Sequence, residues 1–224
     1  GAKGRRNTYG TVTKVIAQLE VFDSDNNKTT YVTDDSWSWS NDGPIQFSDL
    51  KDGEIIDNRK VPSYKGKAKI VKFDANLKES NNEAVIENEY HKPIKIWKSK
   101  SGKQIVEFPN NIAGYISFFI KAKKGDTINI EMGEILDDDG ELTLKNIQCV
   151  HKKKKTPLQK IIYTCKEGEN NYHSKFYFAG FKYLSIDSNI EFNKENIQQI
   201  GISTKLDNTS SFKCSNHISS FNPC

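Results

Sequence analysis

The sequence predicts an all-β chain made of two β-sandwich or jelly-roll-like modules. Three observations predict it. Short runs rich in Val, Ile, Thr, Phe and Tyr recur along most of the chain, and such residues suit a pleated, half-buried surface. Turn clusters of Asp, Asn, Gly and Ser separate these runs at the spacing of roughly 8–12 residues typical of sandwiches. A helical repeat of apolar residues is nearly absent, and the one weak candidate, "IAGYISFF", is β-branched and aromatic enough to favour a strand.

Taken in order, "TVTKVIAQLEVF" (11–22) and "KTTYVTD" (28–34) flank the turn cluster Asp23–Asn27 and predict a hairpin. "KAKIVKFD" (67–74) alternates lysine with apolar residues, the pattern of a half-exposed strand. Further strands are expected at "KPIKIWKS" (92–99), where Trp97 between lysines reads as half-buried, at "QIVEFP" (104–109) and at "GYISFFIKAK" (114–123). "GDTINIEMGEIL" (125–136) sets Ile128, Ile130 and Met132 against polar alternates, and Asp137–Gly140 closes it as a turn. "ELTLKNIQCV", "LQKIIYTC", "SKFYFAGFKYLSID" (174–187) and "IQQIGISTKL" (197–206) continue the pattern. The polar stretch "NLKESNNEA" (76–84) is the best linker, and no internal repeat is found.

Composition narrows the function classes. The chain has 224 residues with 35% hydrophobic, 28% charged and 11% aromatic side chains, which permits a packed core and argues against disorder. Its 33 basic and 29 acidic residues leave a net charge of +4, too balanced for a nucleic-acid binder. The one dense basic run, Lys152–Lys155, reads as a solvated loop tip. No apolar run of roughly 18 residues is present, so no membrane helix is expected. The opening residues lack the apolar core of a signal peptide, which leaves a cytoplasmic or secreted location open. Cys149, Cys165, Cys214 and Cys224 form no C-x-x-C pair, so zinc is not expected; Cys149 and Cys165 read as reduced thiols, with a hairpin disulfide as the alternative.

The chemistry-bearing stretch is "TDDSWSWSNDGPIQFSDLKDGEIIDNR" (33–59), dense in carboxylates and indoles. With "VIAQLEV" before it, the stretch resembles the amino-terminal module of bacterial α-L-rhamnosidases, the family 78 glycoside hydrolases. The resemblance rests on Ile16-Ala17-Gln18-Leu19, Thr33-Asp34-Asp35-Ser36-Trp37, Gly43-Pro44-Ile45, Ser48-Asp49, Gly53-Glu54 and Asp57-Asn58-Arg59. "EFPNNIAGYISFFIKAKKGDTINIEMGEILDDDGEL", "YTC…FYFAGFKYLSI" and "SSFKCSN" are similar, in order, to the concanavalin-like sandwich that follows in those enzymes. Where the family has D-F-G-Q-N, this chain has Glu107-Phe108-Pro109-Asn110-Asn111, and proline fixes φ and removes a donor, so an altered turn is expected there. Ile56 stands where the family has tyrosine.

The resemblance implies residues 1–75 as a partial N-terminal module, 76–210 as the concanavalin-like sandwich and 211–224 as the start of a linker to a catalytic (α/α)6 barrel. That barrel would supply the general acid and base for inverting hydrolysis of terminal α-L-rhamnosyl residues and would be the partner of this segment. No catalytic residue is therefore expected here, although Asp34, Asp35, Asp49, Asp52, Glu54 and Asp57 could supply a carboxylate pair by count. Trp37, Trp39, Asp49, Glu54 and Asp57 are the candidates for carbohydrate contact, with rhamnosides as the ligand class. Trp37 and Trp39, two apart, would share one face of a strand, where one ring could stack on a pyranose; the favoured alternative is that Trp37 is buried core and Trp39 covers the sheet edge. No cofactor is expected unless calcium, which takes six to eight oxygens, is held through Asn7, as rhamnose-binding modules of the family hold it. Neither a nucleic acid nor a membrane is an expected partner. The rival readings are a free-standing rhamnose-binding module and a structural or interaction domain without sugar binding.

Overall fold

The computed structural model describes residues 10–72, 78, 80–147, 157–207 and 209. Among these every regular element is a β-strand. In chain order they are β1 (Gln18–Phe22), β2 (Lys28–Val32), β3 (Ser38–Trp39), β4 (Ile45–Asp49), β5 (Gly53–Asp57), β6 (Gly66–Lys67), β7 (Val85–His91) and β8 (Lys95–Lys98). They continue with β9 (Gln104–Ala122), β10 (Thr127–Gly133), β11 (Ile135–Leu136), β12 (Leu142–Thr143), β13 (Lys160–Thr164), β14 (Gly168–His173), β15 (Ala179–Ser188) and β16 (Ile197–Thr204).

The chain folds as two compact units, one of Gly1–Asn41 with Pro62–Leu77 and one of Asp42–Val61 with Lys78–Cys224. The sequence places a boundary at 75/76, but residues 42–61 join the second unit because β5 pairs with β13, parallel, with Glu54 opposite Ile161 and Ile56 opposite Tyr163.

In the first unit β1 and β2 form the expected hairpin, Gln18 opposite Val32 and Phe22 opposite Lys28. Asp23 closes its turn, its Oδ1 accepting the amides of Asp25 and Asn27. β3 pairs with β6, Ser38 opposite Lys67. Of the strand expected over 67–74, Lys67 alone is in a strand among the described residues, and 73 and 74 lie outside them. Ala68 still donates to the Trp37 carbonyl, but Ile70 and Val71 are exposed and carry no ladder bond. Alternation supplied an apolar face, and among the described residues no neighbouring strand pairs with it.

The second unit is a sandwich built on one curled ten-stranded sheet. Its first layer runs β4-β5-β13-β10-β15 and the start of β9, with β8 on the far side of that start. The rest of β9 continues into a second layer, flanked by β14 and by β16, which carries β7 at its edge. Two expected strands, 104–109 and 114–123, are thus a single strand through Pro109. The ladder to β15 jumps from Glu107 opposite Tyr183 to Ile112 opposite Phe181, so residues 108–111 face Lys182 alone. A bulge of this kind asks for no amide from Pro109, which is why proline is tolerated mid-strand.

Between the layers lies the core. Ile128, Ile130 and Met132 of β10, Leu184 and Ile186 of β15, Ile161 and Tyr163 of β13 and Ile116, Phe118 and Ile120 of β9 all turn inward. The Phe118 ring stacks on Tyr172 at 5.0 Å and meets Tyr163 and Phe192 edge-on at 5.3 and 5.5 Å. Such pairings prefer offset or T-shaped geometry. Cys165 is buried with a free thiol, pushed up to about 11 by burial; Cys149 lies outside the described residues, as does the Lys152–Lys155 run.

Candidate functional site

The stretch 33–59 is divided between the two units. Trp37 and Trp39 belong to the first, and Asp49, Glu54 and Asp57 to the second. Each group takes its surroundings from its own unit.

Trp39 ends β3, while Trp37 stands just before that strand rather than on it. Both indoles are half exposed, at 51% for Trp37 and 47% for Trp39. Their backbone is fixed: the amides of Lys65 and Ala68 donate to the Trp39 and Trp37 carbonyls at 2.9 and 2.8 Å. Asp34 caps the preceding turn through the Ser36 amide and hydroxyl, and those bonds hold its carboxyl below the usual range. Lys67 donates to the Ser36 carbonyl at 2.7 Å. The backbone on both sides of Ser38 is thus hydrogen-bonded while both indoles stay half exposed.

In the second unit the carboxyls are engaged locally. Asp49 caps the β4–β5 turn, accepting the amides of Lys51 and Asp52 at 2.9 and 3.2 Å. Glu54 is fully buried. Its Oε2 accepts the Tyr172 hydroxyl at 2.7 Å, and its Oε1 accepts the amides of Phe176 and Lys175 at 2.7 and 3.1 Å. This side chain therefore ties β5 to β14 and to the loop after it, and solvent does not reach it. Asp57 accepts two parallel bonds from Arg59, Nε and Nη2, each at 2.8 Å. Asn58 completes the motif by donating to the buried Asn170 at 3.2 Å, and Asn170 in turn organises the loop before β14 through Lys166 and Gly168.

The Arg59 guanidinium, its hydrogen bond first, holds the Asp57 carboxyl below the usual range. A depressed folded value contributes stability above the unfolded value of about 3.9, lost as pH falls through the folded value. Asp57→Asn is therefore expected to cost about 1 kcal/mol at pH 7, modest because Arg59 is partly exposed, and to cost little near pH 2. Urea titrations of both chains at the two pH values check it.

Sequence reasoning missed two clusters in the second unit. On the outer side of the second layer, Glu87 of β7 accepts the hydroxyls of Tyr115 and Tyr90 at 2.6 and 2.7 Å and faces His173 Nε2 at 2.9 Å. The Tyr115 bond, then that from Tyr90, lowers the Glu87 carboxyl, and burial raises Tyr115. Tyr90 is three residues from Glu87, but nothing in the sequence brings Tyr115 and His173 to it. The other cluster lies on the outer face of β13, β10 and β15, and its signal was the polar alternates in "INIEM" and "LSIDS". Asp137–Gly140 forms the expected turn, with Asp137 accepting the amides of Asp139 and Glu141. Among the described residues no group of three or more His, Cys, Asp and Glu is placed to hold a metal ion, and Asn7, the expected calcium ligand, lies outside them.

Comparison with known proteins agrees with this architecture. The family model described as "Alpha-L-rhamnosidase N-terminal domain" matches residues 1–98, and that described as "Bacterial alpha-L-rhamnosidase concanavalin-like domain" matches residues 97–203. An α-L-rhamnosidase of Formosa agariphila is 26% identical over 192 residues, covering 77% of this chain and 19% of the relative. The crystal structure of native α-L-rhamnosidase from Aspergillus terreus superposes with a TM-score of 0.80 at 25% identity, over 96% of this chain and 26% of that one. The α-L-rhamnosidase structure from Dictyoglumus thermophilum gives 0.73 at 27% identity, over 90% and 23%. Fold and comparisons together define an all-β chain similar to the N-terminal and concanavalin-like domains of α-L-rhamnosidases. The chain belongs to the bacterial α-L-rhamnosidase family and carries its N-terminal and concanavalin-like domains. It spans only about a fifth of the curated relative named above, at 19%.

Proposed function

We propose that this chain is the supporting β-sandwich segment of an enzyme that hydrolyses terminal α-L-rhamnosyl residues. The acid and base of that reaction would lie outside these residues, in the helical barrel that the family resemblance implies, and the barrel is the proposed partner. The observation that supports this most is the state of the motif acids. Asp49 caps a turn, Glu54 is buried under three donors and Asp57 is bound to Arg59. Each acid does structural work, and an inverting pair instead needs carboxyls that face a sugar and a water across roughly 6.5–9.5 Å.

The 224-residue chain is expected to release no p-nitrophenol from p-nitrophenyl α-L-rhamnoside. Turnover that Asp49→Asn or Asp57→Asn abolishes would overturn the proposal. One observation favours a second reading, sugar binding by this segment: the half-exposed Trp37 and Trp39. Titration calorimetry with L-rhamnose, with and without calcium, tests it. Heat that Trp39→Ala removes supports that reading, and its calcium dependence bears on the role expected of Asn7.

A further inference from the structure

The outer face of the first layer carries a hollow that none of the roles above uses. It lies over the neighbouring strands β13, β10 and β15. Because Ile128, Ile130 and Met132 turn inward, Asn129 and Glu131 point outward. In the same way Leu184 and Ile186 send Ser185 and Asp187 outward, and Ile161 and Tyr163 send Lys160 and Ile162 outward. The register sets these six side by side: Asn129 between Asp187 and Ile162, and Glu131 between Ser185 and Lys160. With strands about 4.8 Å apart and alternate residues about 6.8 Å apart along each, the patch matches a single pyranose ring. Short Ser185 and Asn129 stand among the longer Lys160 and Lys103, so the patch is concave, with a volume near 200 Å³.

Its polar groups are not consumed by the fold. Ser185 is only 4% exposed, yet its hydroxyl lines the hollow and bonds to no other described residue. The Asn129 amide and the Asp187 carboxyl likewise make no side-chain bond among the described residues. Glu131, by contrast, is held by Lys160 at 2.9 Å and by Lys103 at 3.9 Å. Asn129, Ser185 and Asp187 therefore keep donors and acceptors at the hollow's surface, open to water or a ligand. The lining holds two lysines and two acids, so their formal charges cancel and neither an anion nor a cation is selected. What remains is a set of donors and acceptors around one apolar side chain, Ile162, which suits a ring with hydroxyl edges and one C–H face.

From this geometry we infer that the hollow is a binding site for one neutral monosaccharide unit. Asn129, Ser185 and Asp187 take its hydroxyls, and Ile162 meets its ring. The inference is independent of the rhamnosidase reading and of the tryptophan pair.

The test is amide-resolved NMR titration of the 224-residue chain with L-rhamnose and D-galactose, with D-glucuronate as the anionic probe. A saturable shift of the Asn129 side-chain amide and the Ser185 backbone amide is expected with a neutral sugar, at a Kd of about 1 mM. Asn129→Ala and Ser185→Ala should each weaken it about tenfold, a difference of about 1.4 kcal/mol, while Trp39→Ala leaves it unchanged. Ser185→Ala removes a single oxygen and keeps the test available should Asn129→Ala fail to fold. No saturable shift with either neutral sugar, a shift that survives both variants, or tighter binding of D-glucuronate than of the neutral sugars would each overturn the inference.

Discussion

Glu54→Ala is expected to lower the stability of the second unit by about 4 kcal/mol, near the top of the range for a single substitution. Three donors lose their acceptor at once: the Tyr172 hydroxyl and the amides of Lys175 and Phe176. Tyr172 is buried and stacked on Phe118, so its hydroxyl cannot turn to water without disturbing the ring beneath it. Each buried group left unpaired costs about 1–3 kcal/mol. Glu54→Gln keeps one acceptor oxygen but turns an NH2 toward the remaining donors, and should cost about 2 kcal/mol. Urea unfolding followed by tyrosine fluorescence separates the cases. A midpoint unchanged in Glu54→Ala, at constant slope, would remove the tether from this account.

Gly53→Ala should be as damaging, for a different reason. Gly53 sits at φ 99°, a conformation that L side chains rarely adopt. An added Cβ would also meet the backbone carbonyl of Lys160, its partner in the parallel β5–β13 pairing, well inside contact distance. The ladder cannot yield without parting the strands, and a loss of about 4 kcal/mol is expected, with faster amide exchange at Ile161 and Tyr163. Gly140 supplies the control. It too has positive φ, 78°, but an added Cβ there meets nothing within 4 Å, so Gly140→Ala should cost only about 1–2 kcal/mol. Equal losses at the two glycines would show that strain alone, and not close strand approach, explains Gly53.

Much of the fold was legible because its signals are local. The β1–β2 hairpin follows from β-branched runs around Asp23–Asn27. The inward faces of β10 and β15 follow from alternation. Trp97, read as half-buried between lysines, is so, with Lys95 over its ring at 4.8 Å. The strand expected over 67–74 is not formed at residues 68–72, because a pattern cannot show whether a partner exists. Strands β4 and β5 were hidden by their composition: Asp, Gly and Glu in "FSDLKDGEIID" read as a loop bearing a site. The second partner of β5, β13, lies far along the chain, and such pairings leave no trace in a short window.

The same limit applies to the site. Residue types picked out Glu54 and Asp57, but a glutamate on a strand is almost always solvent-facing, so its burial under Tyr172 could not be read. Asp57 and Arg59, two apart, lay within reach of sequence reasoning as a pair. The Asn129–Ser185–Asp187 hollow was not, since it exists only once β10 and β15 lie side by side.

The return of residues 42–61 to the second unit has a bearing on how such proteins can be recombined. The two units interlace along the polypeptide, so no single crossover in a coding sequence transfers either one whole. A cut anywhere between Asp42 and Lys78 separates strands from the layer they complete or strands a donor's β5 beside a recipient's β13. Inheritance of the pair as one cassette follows from that threading, whatever chemistry is joined to it.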